Sequence, residues 1–225
     1  MSNLIEVKKL SRSFGKGKNR LDILNEINLS VKQGDDLAIV GPSGCGKTTF
    51  LQILGLLDKA TSGEILFSGK NLAKSGDKEC TKYRKTNIGF IYQYHHLMPE
   101  FTSLENVIMP LLINGMKKSE AEKEGLRTLD SLGIKNRALH RPSALSGGEK
   151  QRVAIARGMI HKPDILLADE PTGNLDPKNA NQVFDLFMDE LKRRKQTTII
   201  VTHNLELAKK FSKVITIEDG RIKKL

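Results

Sequence analysis

GPSGCGKT, residues 41–48, is the stretch on which the fold turns. It matches G-x-x-x-x-G-K-[ST] in full, follows the apolar run LAIV (37–40) and leads into TTFLQILGLL (48–57). A buried strand, a glycine-rich turn and a helix form the context in which this pattern holds the phosphates of a nucleoside triphosphate. Its glycines permit positive φ, so the loop through Gly41, Pro42, Ser43, Gly44, Cys45 and Gly46 turns successive N–H groups toward phosphate oxygens. Lys47 adds positive charge near the β and γ phosphates, and Thr48 offers a hydroxyl to Mg2+. Thr49 completes this nucleotide-binding set.

Outward from the loop, other strand ends carry matching chemistry. ILLADE (165–170) is an apolar strand that presents Asp169 and Glu170 at its carboxyl edge, where open α/β sheets bind ligands. Asp169 is the expected magnesium ligand, acting through a water because that ion dehydrates reluctantly. Glu170 is then the expected base for the attacking water. His203 ends the strand TTIIVTH, beside the strand carrying Glu170, where its imidazole can reach a γ-phosphate. Gln93 follows the strand NIGFIY with an amide suited to both the metal and the water. Phe14 has two readings, a ring stacked on adenine or a core residue.

LSGGEKQR (145–152) poses a puzzle, because it is a second helix start fitted to an anion. Ser146 and Glu149 have the spacing of a capping box, and Gly147 and Gly148 between them let phosphate approach the backbone amides. The P-loop already provides one complete phosphate cradle.

The remaining segments read as an α/β fold. LIEVKKLSRSF and LDILNEINLSVKQGD form an antiparallel start, separated by a Gly/Lys loop at 15–19. TSLENVIMPLLING and KSEAEKEGLRTLDSLGI carry helical spacing, with Ser119 and Glu122 as a further S-x-x-E start signal. After 160 the pattern returns to strand, helix, strand. The expectation is one domain, 1–225: a parallel core with an antiparallel layer from 1–92 and 161–225, interrupted by a helical subdomain at 93–160.

Composition narrows the function classes. At 225 residues, 38% hydrophobic and 28% charged, the chain can bury one sizeable core. No apolar run approaches the roughly 18 residues of a membrane span. The opening MSNLIEVKKL lacks a signal-peptide core, so a cytosolic location is expected. Cys45 and Cys80 have no pairing or metal-ligand spacing, and His95–His96 has no third ligand nearby. The net charge of +11 is spread along the chain, its tightest clusters being KRRK (192–195) and RIKK (221–224). It reads first as solvated surface, with an anionic membrane face as the alternative. With 5% aromatics, no Trp and no basic stretch interleaved with rings, no nucleic-acid partner is expected.

Taken in order, Phe14, GPSGCGKT, Gln93, LSGGEKQ, ILLADE, the GNLD loop ending at Asp176, and His203 resemble the ATP-binding cassette (ABC) ATPases over the whole chain. The resemblance implies a RecA-like P-loop core that hydrolyses ATP with Mg2+. It also answers the puzzle: two copies face each other head to tail, and Ser146, Gly147, Gly148, Glu149 and Asp176 act on the ATP held by the partner. YQYHHLMPEF (92–101) resembles the lipoprotein-releasing type most closely, and ADEPTGNLD (168–176) is similar to the wider branch to which that type belongs. That likeness implies a homodimer at the cytoplasmic face of the inner membrane, bound peripherally to integral membrane permeases of the LolC/LolE type. Lipoprotein cargo is then handled indirectly. The macrolide-exporter type (MacB) and the cell-division type (FtsE) are the alternatives within the branch. Cys45 stands where the family more often has Ser, and GNLD where it often has SALD.

Overall fold

The computed structural model describes residues 3–224. Met1, Ser2 and Leu225, the ends of the 1–225 domain expected from the sequence, lie outside the described residues. In chain order the elements begin β1 (Asn3–Phe14), β2 (Leu21–Lys32), β3 (Asp36–Val40), α1 (Lys47–Leu54), β4 (Ser62–Phe67), β5 (Lys70–Asn71), α2 (Asp77–Asn87) and β6 (Ile88–Ile91). They continue with α3 (Ser103–Ile113), α4 (Lys118–Ser131), α5 (Gly147–Met159), β7 (Ile165–Asp169) and α6 (Pro177–Arg194). The last are β8 (Thr197–Val201), α7 (Leu205–Ala208), β9 (Lys213–Glu218) and β10 (Arg221–Lys224). The fold is mixed α/β, and the chain divides into two compact units, Met1–Arg84 with Thr197–Leu225, and Lys85–Gln196.

The first unit contains two sheets. Antiparallel strands in the order β2-β1-β4-β5 form one; Ile5, Val7 and Leu10 of β1 and Leu24, Ile27 and Val31 of β2 are buried in its core. In the other, β3 pairs in parallel with β8 and β9, and β10 returns antiparallel to β9. Leu37 to Val40 are all buried, as expected of a strand covered on both faces. The β9–β10 turn ties the two sheets together: Asn25 N–H donates to Gly220 O at 2.7 Å, and Asn25 Nδ2 donates to Asp219 O at 3.1 Å.

The second unit holds the parallel pair β6–β7, registered Ile88↔Ile165 to Ile91↔Ala168, with α3, α4, α5 and α6. The helical segment 93–160 lies within it. Helix α5 approaches β6 where Gly158 meets Gly89; a methyl on Gly89 would stand 2.2 Å from Gly158 O. Phe184 and Phe187 of α6 are fully buried in this unit's core.

Two elements depart from the sequence pattern. Helix α4 is not started by Ser119: its N-cap is Lys117, in extended conformation and without a side-chain cap. Ser119 is already helical, so it cannot adopt the extended geometry that a capping serine needs. Helix α2 was not anticipated, because DKECTKYRKTN buries only Cys80 and so displays no apolar period.

Candidate functional site

In the first unit the P-loop runs from the end of β3 to the start of α1, threaded between β9 and β2. Gly41 has φ +146, and a Cβ there would lie 2.4 Å from Ile217 O. Gly46, at φ +101, would push a Cβ to 2.8 Å from Leu24 Cδ2. Both positions therefore exclude a side chain. Gly46 is the N-cap of α1 and forms no side-chain cap, which leaves the helix start to an external anion. Pro42, Ser43 and Gly44 are exposed along the loop, Cys45 and Thr49 are half-buried, and Thr48 is exposed.

Lys47 is 9% exposed, and its ammonium donates to Gly41 O at 2.8 Å and Pro42 O at 2.9 Å. A buried ammonium needs such partners. Neutral carbonyls bind it less strongly than phosphate oxygens, so the loop holds a charge ready for transfer to an anion.

Two further predicted residues lie in this unit. Strand β8 pairs with β3 up to Ile39↔Val201, and Thr202 N–H donates to Ile39 O at 3.1 Å. The exposed His203 thus leaves the sheet next to the strand that feeds the P-loop. Phe14, at the end of β1, is 44% exposed, which removes the core reading. The guanidinium of Arg12 covers one face of its ring.

In the second unit, Gln93 and Glu170 follow the ends of paired strands β6 and β7. Glu170 has φ +44, an uncommon conformation for a residue with a side chain. Such outliers gather at functional sites. Its carbonyl accepts from Gly173 N–H at 3.0 Å, closing a turn that brings Asn174 back to Gln93. Asn174 Nδ2 donates to Gln93 O at 2.8 Å, and Gln93 Nε2 donates to Asn174 Oδ1 at 3.4 Å. The sequence contained Asn174 within GNLD without revealing this clasp.

The LSGGE segment forms the capping box expected from its spacing. Glu149 N–H donates to Ser146 Oγ at 3.3 Å, and Ser146 N–H donates to Glu149 Oε2 at 2.8 Å. Arg137 Nε donates to Glu149 Oε1 at 2.8 Å. The Ser146 N–H, with help from Arg137, holds the Glu149 carboxyl below the usual carboxylate range. Ser146 and Gly147 are exposed, while Gly148 is buried. Gly148 faces Val183 and Asn179 of α6, and Gly147 faces Leu175.

Asp176 caps α6, accepting from Asn179 N–H at 3.2 Å and Asn179 Nδ2 at 2.6 Å. Those bonds to Asn179 lower its carboxyl pKa. Burial, followed by the charge of Lys150, pushes the pKa of His95 down. Arg157 of α5 fixes the same segment by donating to His95 O and His96 O, each at 2.7 Å. Nothing in the sequence pattern singled out Arg157.

The candidate residues thus fall into two constellations. One unit gathers Phe14, residues 41–49 and His203; the other gathers Gln93, the capped start of α5, Asp169, Glu170 and Asp176. Among the described residues no group of three or more His, Cys, Asp or Glu is placed to hold a metal. Thr48 in the first unit, and Gln93 and Asp169 in the second, each offer a hard oxygen donor. Oxygen donors of this kind suit Mg2+, which keeps waters and substrate phosphates in its shell.

The chain is similar to known proteins over nearly its whole length. The family model described as ABC transporter matches residues 24–173. The lipoprotein-releasing system ATP-binding protein LolD of Geobacter metallireducens is 47% identical over 222 residues, covering 99% of each chain. LolD of Legionella pneumophila (strain Paris) is 44% identical over 219 residues, covering 97% of this chain and 96% of its own. The ATP-binding cassette MJ0796, solved as a dimer bound to ADP and Pi, superposes with a TM-score of 0.89 at 36% identity, covering 98% of both chains. A second dimeric structure of MJ0796 gives 0.89 at 37% identity with the same coverage.

Proposed function

Because this chain belongs to the ABC transporter family, we propose that it is the ATP-hydrolysing subunit of a complex that releases lipoproteins from the inner membrane. The observation that carries the ATPase reading is the pair of unlike helix starts: α1, uncapped and lined by Lys47, and α5, capped by Ser146 and exposed. The near full-length likeness to LolD proteins supports the lipoprotein branch.

Each residue then has a chemical task. Lys47 exchanges its two loop carbonyls for phosphate oxygens, and residues 41–46 with Thr48 and Thr49 hold the triphosphate. Phe14 stacks on the base. Thr48, Gln93 and Asp169 would hold Mg2+, which would supply charge neutralisation to the triphosphate. Glu170 takes the proton of the attacking water, and His203 steadies the γ-phosphate. Phosphoryl transfer depends on positioning and electrostatics, so a γ-phosphate open on one side is poorly catalysed. In a head-to-tail homodimer, Ser146 and the amides of Gly147 and Gly148 close that side for the partner's ATP, while Glu149 stiffens the cap and Asp176 bounds the same face.

The docking surface for LolC/LolE-like permeases is the segment after Gln93, 94–113. Tyr94 is 67% exposed there, and Leu97, Met98 and Phe101 are half-buried. Asn106 pins its backbone, accepting from Met98 N–H at 2.8 Å and donating to Met98 O at 3.1 Å. Among the described residues no helix is long and apolar enough to cross a membrane; the place proposed for the chain is peripheral, on the cytoplasmic face of the inner membrane.

The test is to purify the tagged Glu170→Gln chain from gently solubilised native membranes and identify what comes with it. Two related multi-span proteins together with trapped lipoproteins support this function. A single division-site partner, or a drug-export partner without lipoproteins, contradicts it.

A further inference from the structure

Arg12 occupies a setting that the functions assigned above do not use. Its guanidinium carbon lies 4.3 Å from the centre of the Phe14 ring, over one face. Its NH2 group donates to Asp58 Oδ1 at 2.9 Å, in an ion pair whose side chains are only 20% and 27% exposed. Arg12 Nε is buried with no hydrogen-bond partner. A solvated arginine would satisfy that donor, so the side chain accepts a polar cost in exchange for the ring and the carboxylate.

The location gives the contact its meaning. Across β1–β2, Arg12 pairs with Leu24, and Leu24 packs directly on Gly46 of the P-loop. The guanidinium and ring therefore lie toward the end of β1, one strand over from the residue that touches the triphosphate cradle. One face of Phe14 is covered by the cation, and the residue is still 44% exposed.

We propose that Arg12, held by Asp58, positions Phe14, closing one face of the ring and presenting the other to the adenine base. This rests on the reading of Phe14 as the base-stacking residue. The cation orders the ring before nucleotide arrives, so stacking loses less conformational freedom. It also draws π density toward itself, which reduces repulsion between the open face and the π system of a stacked base. Arg12 is a positioning residue: it touches the ring, not the reacting phosphates.

The test is calorimetric titration of the full chain with Mg-ATP and with inorganic tripolyphosphate, which has no base. Arg12→Ala is expected to weaken ATP about 3- to 5-fold, the scale of an exposed cation–π contact, and to leave tripolyphosphate and kcat at saturating ATP unchanged. Arg12→Lys, which keeps a charge for Asp58 but loses the planar face, is expected to fall between Arg12→Ala and the parent. Adding Arg12→Ala to Phe14→Ala is expected to cost ATP nothing further. Equal weakening of both ligands, or an additive loss in the double variant, overturns the proposal. If Phe14→Ala leaves the preference for ATP over tripolyphosphate unchanged, the base-stacking reading falls and this one with it. If Phe14→Ala removes that preference while Arg12→Ala keeps it, only the role of Arg12 falls.

Discussion

The two glycine-flanked helix starts, α1 and α5, solve opposite problems. At α1 the N-cap is a glycine with no side chain to offer, and a buried lysine waits on two loop carbonyls. At α5 the N-cap serine and its glutamate satisfy each other, and Arg137 reinforces the glutamate. The first is incomplete without an anion. The second is complete in itself and still presents exposed groups, Ser146 and Gly147. This difference fits the proposed division of labour, with α1 as a binding cradle and α5 as a rigid lid, in which one chain carries both.

The largest effect is expected from leaving both starts intact and removing the proposed base. Glu170→Gln keeps shape but deletes the base, so kcat should fall about 10²- to 10⁴-fold with ATP affinity retained, as steady-state hydrolysis and equilibrium binding will report. Lys47→Ala attacks the cradle alone. ATP binding should weaken about 10- to 100-fold, the scale of charge-assisted hydrogen bonds, while urea denaturation shows a folded chain.

The lid responds differently, because its cap is a matter of stability before it is one of binding. Ser146→Ala should cost about 1 kcal/mol in urea denaturation through the lost cap. Neither start of α1 nor the ATP affinity of the monomer should change. A fall in monomer ATP affinity would place α5 on its own chain's nucleotide and break the comparison.

The smallest effect is a pH dependence. Glu149 has a folded pKa below its unfolded value, so its contribution to stability is present above the ordinary glutamate range and is lost as pH falls through the folded value. Glu149→Gln keeps an acceptor for Ser146 N–H but loses the charge facing Arg137. Its denaturation midpoint should therefore fall less steeply than the parent's between neutral pH and pH about 3–4. Identical acid limbs would remove the ionised Glu149 from the cap.

What the sequence revealed follows from where the physics is local. The P-loop was legible because strand, glycines, lysine and threonine are contiguous, and the cap at Ser146 because a capping box spans only one turn. The same local rule misplaced the start of α4 at Ser119, since the extended residue that sets a cap is fixed by the preceding chain rather than by spacing alone. Helix α2 stayed hidden because its polar face leaves almost nothing to bury. Phe14 admits a base-stacking and a core reading from sequence alone, and its exposure removes only the second. The Asn174–Gln93 clasp, the Arg157 bonds to the His95–His96 backbone and the Arg12–Phe14–Asp58 group all join residues far apart in the chain, and no periodicity encodes such pairs.

The central claim is that the cradle of one chain and the lid of another enclose the same ATP. Size-exclusion chromatography with light scattering, run on Glu170→Gln over a concentration series with Mg-ATP, tests it most directly. The mass should move from that of one chain to that of two when ATP is added, and stay at one chain when Ser146→Arg is introduced alongside. A Glu170→Gln chain that remains monomeric at every concentration, or a dimer indifferent to Ser146→Arg, would contradict it.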